Sequence, residues 1–230
     1  MCNVIRLKSL LLIYSAVNDN WARVALMHSL ARDLYASTAN TDFRERITGN
    51  GDAFPFDVDA YSTIENESRI VGMVMAWSVV TLESLVNHQL AEELGNMVLA
   101  TMAIEYPAQV TDKLKISRSA RSELAKKLIV LSGELQAAGT DLPATITLAD
   151  ALADKRNMII HDKPFRYTDR GDGDIVIDGF RSRGDSESPF LRFDDLTDFY
   201  ADCDTVKRYV FKVSSEPIDC DVDFSSLLHG

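Results

Sequence analysis

Positive charge is in short supply in this sequence: 24 lysines and arginines stand against 35 aspartates and glutamates over 230 residues, a net charge of −11. Polyanions are drawn nonspecifically to basic surfaces, so a protein that coats nucleic acid through its general field is excluded. Any RNA or DNA site must be a local basic cleft on an acidic body. Cysteine is sparse as well. Cys2, Cys203 and Cys220 are odd in number, far apart and without a C-x-x-C pair, which argues against a disulfide framework and gives no sign of a zinc site. The chain therefore reads as cytoplasmic. A phosphate-cradling glycine loop is missing too, because Gly49 and Gly51 in TGNGDAFPFD lack the spacing and following lysine of a P-loop. Apart from the N-terminal IRLKSLLLIYSAV, no run approaches the roughly 18 apolar residues of a membrane span, so none is expected. In that N-terminal stretch Arg6 and Lys8 precede an apolar run from Leu10, as in a short signal peptide. It has no convincing small-x-small cleavage site and is read as a first core helix. No internal repeat or low-complexity tract occurs.

At 46% hydrophobic, the chain can bury a substantial core as a single domain of residues 1–230. From Leu7 to about Ala39 apolar residues recur at helical spacing, with Leu26, Leu30 and Leu34 in one row and Trp21, Val24 and Tyr35 beside it. This is one helix, or two divided near Asn18 to Asn20. From about Tyr61 to Leu94 runs the longest periodic segment, the expected central helix, with Gly95 and Asn96 as its stop. Glu83 lies in it among Val79, Val80, Val86 and Asn87, where a carboxylate needs a partner if buried and is otherwise a solvated margin residue. Met97 to Tyr106 is a further short helix. The next helix has Leu124, Leu128 and Leu131 as its apolar row, and most of the cations among Lys113, Lys115, Arg118, Arg121, Lys126 and Lys127 are read as its solvated face.

The stretch that carries chemistry is RNMIIH, residues 156–161, closing a helix opened by Asp141, Leu142 and Pro143, with Thr147 and Asp150 as an alternative capping box. Its buried stripe is read as Leu148, Ala149, Leu152, Ile159 and Ile160, with Arg156 inside that stripe. Arginine is rarely buried without a partner. Asp150, Asp154, Asn157 and His161 line the adjacent polar edge, and Pro164 confines His161 to the last turn. Beyond it, GDIVI, Asp178 with Gly179, and FRSR suggest a hairpin, PFLRF suggests a further strand, and Asp194 to about Ser214 suggests a final helix. From Asp194 onward nine acids face three bases, so the tail holds −6 of the net charge.

Asn157 precedes His161 by four residues and shares its face of the helix. His161 can exchange a proton, Arg156 can hold a phosphate by two parallel hydrogen bonds, and Asn157 can orient either. Together these groups suit cleavage of RNA without a metal. A base takes the 2′-hydroxyl proton, the oxygen attacks the adjacent phosphate, and a cation stabilises the developing charge. A structural reading stands beside it, in which Arg156 clamps the bundle. His88 and Glu92, four apart, are read as a surface pair because no third metal ligand joins them.

Residues 156, 157 and 161, with LESLVNHQL at 82–90 in the preceding long helix, resemble the HEPN superfamily. Its ribonuclease members carry an Arg, a polar residue beside it and a His four to six residues beyond the Arg at a helix end. The resemblance covers about residues 60–165. It implies an all-α, antiparallel helical bundle with that stretch as its core, to which this chain adds a small C-terminal β-ribbon at about 173–193 and a helix with an acidic tail at 194–230. It also implies a homodimer with a composite cleft, an RNA substrate, no metal or other cofactor, and Arg156, Asn157 and His161 as catalytic residues supported by Glu83 or Ser84. A toxin or anti-phage role with an antitoxin partner follows from the resemblance alone. The alternative is a non-catalytic interaction module with a structural Arg156–Glu83 pair. Many toxins of this superfamily that are silenced by a nucleotidyltransferase carry a tyrosine two residues past the His; here Lys163 stands there, so that silencing is not expected. A second match to the spacing, Arg23 to His28, has Val24 after its arginine and lies mid-helix, and is read as coincidence.

Overall fold

The central helix of the bundle is α2 (Val58–Glu93), 36 residues and about 54 Å long at a rise of about 1.5 Å per residue. The computed structural model describes residues 2–38, 58–94, 97–107, 120–134, 141–161, 166–169, 175–178, 191–214 and 219–228. Along α2 runs α1 (Cys2–Thr38), a single uninterrupted helix of 37 residues, so there is no division near Asn18 to Asn20. The pair is antiparallel: Asn20 meets Ser84 through a 2.9 Å hydrogen bond, while Arg23, further along α1, stacks on Trp77, further back along α2. Val17, Asn20, Val24, His28 and Ala31 form the buried side of α1. Leu26 and Leu30, expected in its apolar row, are instead exposed at 58% and 43%. A three-to-four-residue repeat is compatible with either row, and packing against α2 selects the one with smaller side chains.

After the short α3 (Met97–Glu105), α4 (Glu123–Glu134) and α5 (Leu142–His161) close on α2. α5 is antiparallel to α2, for Arg156 reaches Glu83 while Ile159, one turn on, lies against Gly72. A Cβ added at Gly72 would sit 3.2 Å from the Ile159 Cγ2, so glycine there lets α5 approach. The start of α4 is fixed twice over. Ser122 accepts a hydrogen bond from the Ala125 amide, and Asp150 of α5 accepts the amides of Arg121 and Ser122. Asp150 thus caps a neighbouring helix, not its own as a Thr147–Asp150 capping box requires.

The final helix, α6 (Asp195–Val213), packs on α2 and α5 and buries Leu196, Phe199, Tyr200, Cys203, Val206 and Tyr209 among others. Its approach is set by α2: buried Glu67 accepts the Phe193 amide and Ser68 accepts the Leu191 amide. Leu191 to Phe193 is therefore a tethered connection and not a strand. The acidic stretch beyond α6 also returns to the bundle. Phe224 is fully buried, edge-on to Trp21 at 5.2 Å, and Lys207 donates to the Val222 carbonyl at 2.7 Å. His229 lies outside the described residues.

The described residues hold one antiparallel pair of strands, β1 (Arg166–Asp169) with β2 (Ile175–Asp178), Tyr167 opposite Ile177 and Thr168 opposite Val176. This is not the pairing read from the sequence, which turned at Asp178 and Gly179 into FRSR; residues 179–190 lie outside the described ones. Otherwise the described residues form helices, and the fold is all-α. Glu65–Glu93 is long and apolar enough to cross a membrane by length and composition, where the sequence suggested none, and 56% of its most apolar window is buried within the fold. Its Ile, Val, Leu and Met residues carry the average, and Gly72, Ser78, Thr81, Glu83 and Ser84 interrupt the apolar run, which is why the segment does not stand out by eye.

Candidate functional site

Three helices bring charge together where α2, α4 and α5 meet. Arg156 Nη1 lies 2.8 Å from Glu83 Oε1, and their side chains are 21% and 20% exposed. The arginine thus faces a glutamate at the half-buried margin of the bundle. The other edge of the guanidinium is met by Asn157, whose Oδ1 accepts from Nε at 3.3 Å and from Nη2 at 3.2 Å. Asn157 is exposed, so this edge is held by a long contact to a side chain at the surface. Glu83 is a partnered residue here and not a solvated one.

The sequence reading missed the third member. Lys127 of α4 is only 5% exposed and interacts electrostatically with Glu83, Glu123 and Arg156. Burial pushes its ammonium below the usual lysine range; the Glu83 and Glu123 carboxylates oppose that, and Arg156 adds to it. It was grouped with the solvated cations of its helix, yet it follows Leu124 by three residues and precedes Leu131 by four. That is the spacing of the apolar row itself, and it was the available signal.

Ser84 is not part of this cluster. Its hydroxyl donates to the Val80 carbonyl and accepts from Asn20 of α1, one helical step round from Glu83. His161 is the last residue of α5; its side chain lies outside the described residues, as do Lys163 and Pro164. Ile160, placed in the buried stripe, is 57% exposed, whereas Thr145, Ile146, Ala149, Asp150, Leu152 and Ala153 are buried. Ile159 keeps its place in the stripe, against Gly72, and Ile160 beside it is turned outward.

Comparison with protein-family models, with curated proteins and with solved structures finds no match to this chain. The geometry has to be weighed by itself. The Arg23–His28 spacing separates its two side chains: Arg23 lies over the Trp77 ring at 4.6 Å, and buried His28 bonds the Tyr200 hydroxyl at 2.8 Å. They share no site. His88, read as a surface residue, is 7% exposed, and burial lowers its pKa against the opposing charge of Glu92. Among the described residues no group of three His, Cys, Asp or Glu side chains is placed to hold a metal. What the junction offers chemically is a guanidinium whose Nη1 is held by Glu83 and whose Nε and Nη2 meet exposed Asn157, an edge of the shape that can take an anion by two parallel hydrogen bonds.

Proposed function

We propose that the chain is a metal-independent endoribonuclease of the HEPN type. The observation that carries this reading is the division of labour on Arg156. Glu83 fixes the guanidinium through Nη1 at 2.8 Å, while the Nε and Nη2 edge, suited to a bidentate phosphate, is met by exposed Asn157. A phosphodiester can replace the Asn157 contact without disturbing Glu83. In the proposed reaction His161, at the end of α5, takes the ribose 2′-hydroxyl proton. The 2′-oxygen attacks phosphorus, Arg156 stabilises the charge on the non-bridging oxygens, and the 5′-oxygen leaves with a proton from a general acid. The products are a 2′,3′-cyclic phosphate and a 5′-hydroxyl.

A homodimer belongs to the same proposal. Leu26, Leu30, Met73 and Ile160 are large, apolar and exposed on α1, α2 and α5, and a second copy is their proposed cover. A toxin, anti-phage or stress-response role, with an antitoxin as possible partner, rests on the resemblance of residues 156–161 and 82–90 alone.

One observation favours a second reading, a non-catalytic interaction module: the Arg156–Glu83 pair is formed, and a formed pair is what a structural clamp requires. The test is incubation of purified protein with RNA in the presence of chelator. Cleavage leaving cyclic phosphate ends, abolished in Arg156→Ala and His161→Ala proteins that remain folded, supports the nuclease. Intact RNA, with both variants merely less stable, leaves the module.

A further inference from the structure

We infer that Arg23, stacked on Trp77, is a second phosphate-binding position on the exposed strip of α2 that carries Glu83 and its partner Arg156, so that a single strand of RNA is held at both arginines. This rests on the reading of Arg156 as a phosphate site. From Trp77 to Asn87 the residues of α2 that keep some exposure are Trp77, Val80, Glu83, Ser84 and Asn87. Their steps of three and four put them on one side of the helix. α1 meets that strip with Arg23 over the Trp77 ring, 4.6 Å from its centroid, and α5 meets it with Arg156 on Glu83 at 2.8 Å. Trp77 and Glu83 are six residues apart, a rise of about 9 Å along α2, which a short piece of extended strand can cover.

Arg23 is exposed, yet it is held in place. Its Nη1 donates to the Asn20 Oδ1 at 3.2 Å, and Asn20, only 8% exposed, donates from Nδ2 to the Ser84 Oγ at 2.9 Å. These contacts orient the side chain without neutralising it, because an amide and an indole carry no net charge. Nε and Nη2 form no hydrogen bond among the described residues. That is the edge through which a guanidinium takes a phosphate by two parallel hydrogen bonds. Less freedom is then lost on binding than for an unanchored arginine. Arg156 differs in that its charge is already shared with Glu83, so it exerts less pull on an anion arriving from solution. Arg23 supplies that pull on the same strip, and this reconciles a net charge of −11 with a polyanionic substrate. Ser84, one residue past Glu83 and outside the Arg156 cluster, acquires a part as the anchor of Asn20.

The test uses the intact protein and a 2′-O-methyl hexaribonucleotide, which can bind but cannot be cleaved, with affinity measured by fluorescence anisotropy over a series of salt concentrations. Arg23→Gln should weaken binding about tenfold and flatten the slope of log affinity against log salt by about 0.7, the loss of one phosphate contact on a single strand. Arg23→Lys should keep the slope but not the full affinity, since an ammonium lacks the fork. Ser84→Ala leaves the charge in place and frees Asn20, so it should weaken binding about threefold at an unchanged slope. In Trp21→Phe protein Trp77 is the remaining tryptophan; its emission should change as the oligonucleotide saturates, and the change should be lost with Arg23→Gln. If Trp21→Phe fails to fold, the anisotropy series decides. Wild-type affinity and slope in Arg23→Gln, or Trp77 emission unmoved at saturation, overturns the inference, while the reading of Arg156 stands if Arg156→Gln still weakens binding. Wild-type protein that binds no oligonucleotide overturns both.

Discussion

Removing Glu83 should cost the fold more than removing Arg156, although the two are partners in one ion pair. After Arg156→Ala, Glu83 keeps a cation in its field, Lys127, so the carboxylate is not stranded. After Glu83→Ala, Arg156 loses its 2.8 Å partner and Lys127 loses a favourable charge, while the repulsion between the two cations remains. Exposed ion pairs contribute about 0.2–1 kcal/mol, and breaking a buried one costs about 3–5 kcal/mol. With both side chains about one-fifth exposed, Glu83→Ala should fall between these, at about 2 kcal/mol, and Arg156→Ala at about 1 kcal/mol. In a domain of this size each kcal/mol shifts Tm by about 2–4 °C, so the expected losses are about 4–8 °C and 2–4 °C. The asymmetry should shrink when Lys127→Met is introduced beneath both variants, since like-charge repulsion is then gone. Urea unfolding at neutral pH and moderate salt measures all these values. Equal losses, or a larger loss for Arg156→Ala, refute the reasoning, because Lys127 then does not share Glu83.

Two other outcomes follow from the same geometry. Asp150 accepts the Arg121 and Ser122 amides, the latter at 2.7 Å, and these bonds outweigh burial to hold its carboxyl below the usual range. Asp150→Asn keeps one acceptor and loses the charge at the α4 N-terminus, so it should cost about 1–2 kcal/mol by chemical denaturation; an unchanged midpoint would show that Ser122 caps the helix unaided. Acid should act on the histidines first. Burial lowers the pKa of both His28 and His88 from 6.5, aided at His28 by Arg32, against the Leu227 carbonyl at His28 and Glu92 at His88. Below 6.5 the unfolded chain therefore binds protons that the fold resists. Stability should be intact above that pH and decline beneath it, with Tm falling between about pH 7 and about pH 5. His28→Gln, which can still meet the Tyr200 hydroxyl, should flatten that decline, and a Tm independent of pH in the wild type would refute it.

The helices were legible because periodicity is local, but which side of a helix faces inward is not local. On α1 the row Leu26, Leu30, Leu34 is a sound apolar stripe by spacing, yet the first two are exposed and His28 is buried. His28 can be accommodated because Tyr200, 172 residues away, supplies a hydroxyl at 2.8 Å, with Phe193 and Tyr200 rings beside it. No window of sequence around residue 28 contains those partners. Glu67 is the same case: a buried carboxylate explained by the Phe193 amide, 126 residues on. At the end of α5 the ambiguity is between adjacent residues: Ile159 and Ile160 both suit the stripe, and the close approach at Gly72 selects Ile159 and leaves Ile160 in solvent.

At the candidate site the legible part was the question and not its answer. An arginine in an apolar row demands a counter-charge, and Glu83 could be named because it was a lone carboxylate among valines on the longest helix. The pairing of Glu83 with Arg156 then fixes where the second guanidinium edge and its partner Asn157 lie, but it does not by itself distinguish a clamp from a cleft, because both need the pair. The difference between them lies at the Nε and Nη2 edge. A clamp is best served by closing both edges of the guanidinium, whereas this one is met only by contacts of 3.3 and 3.2 Å to an exposed asparagine. Such a contact is one that an anion can displace, and that is the ground on which anion binding at Arg156 is proposed.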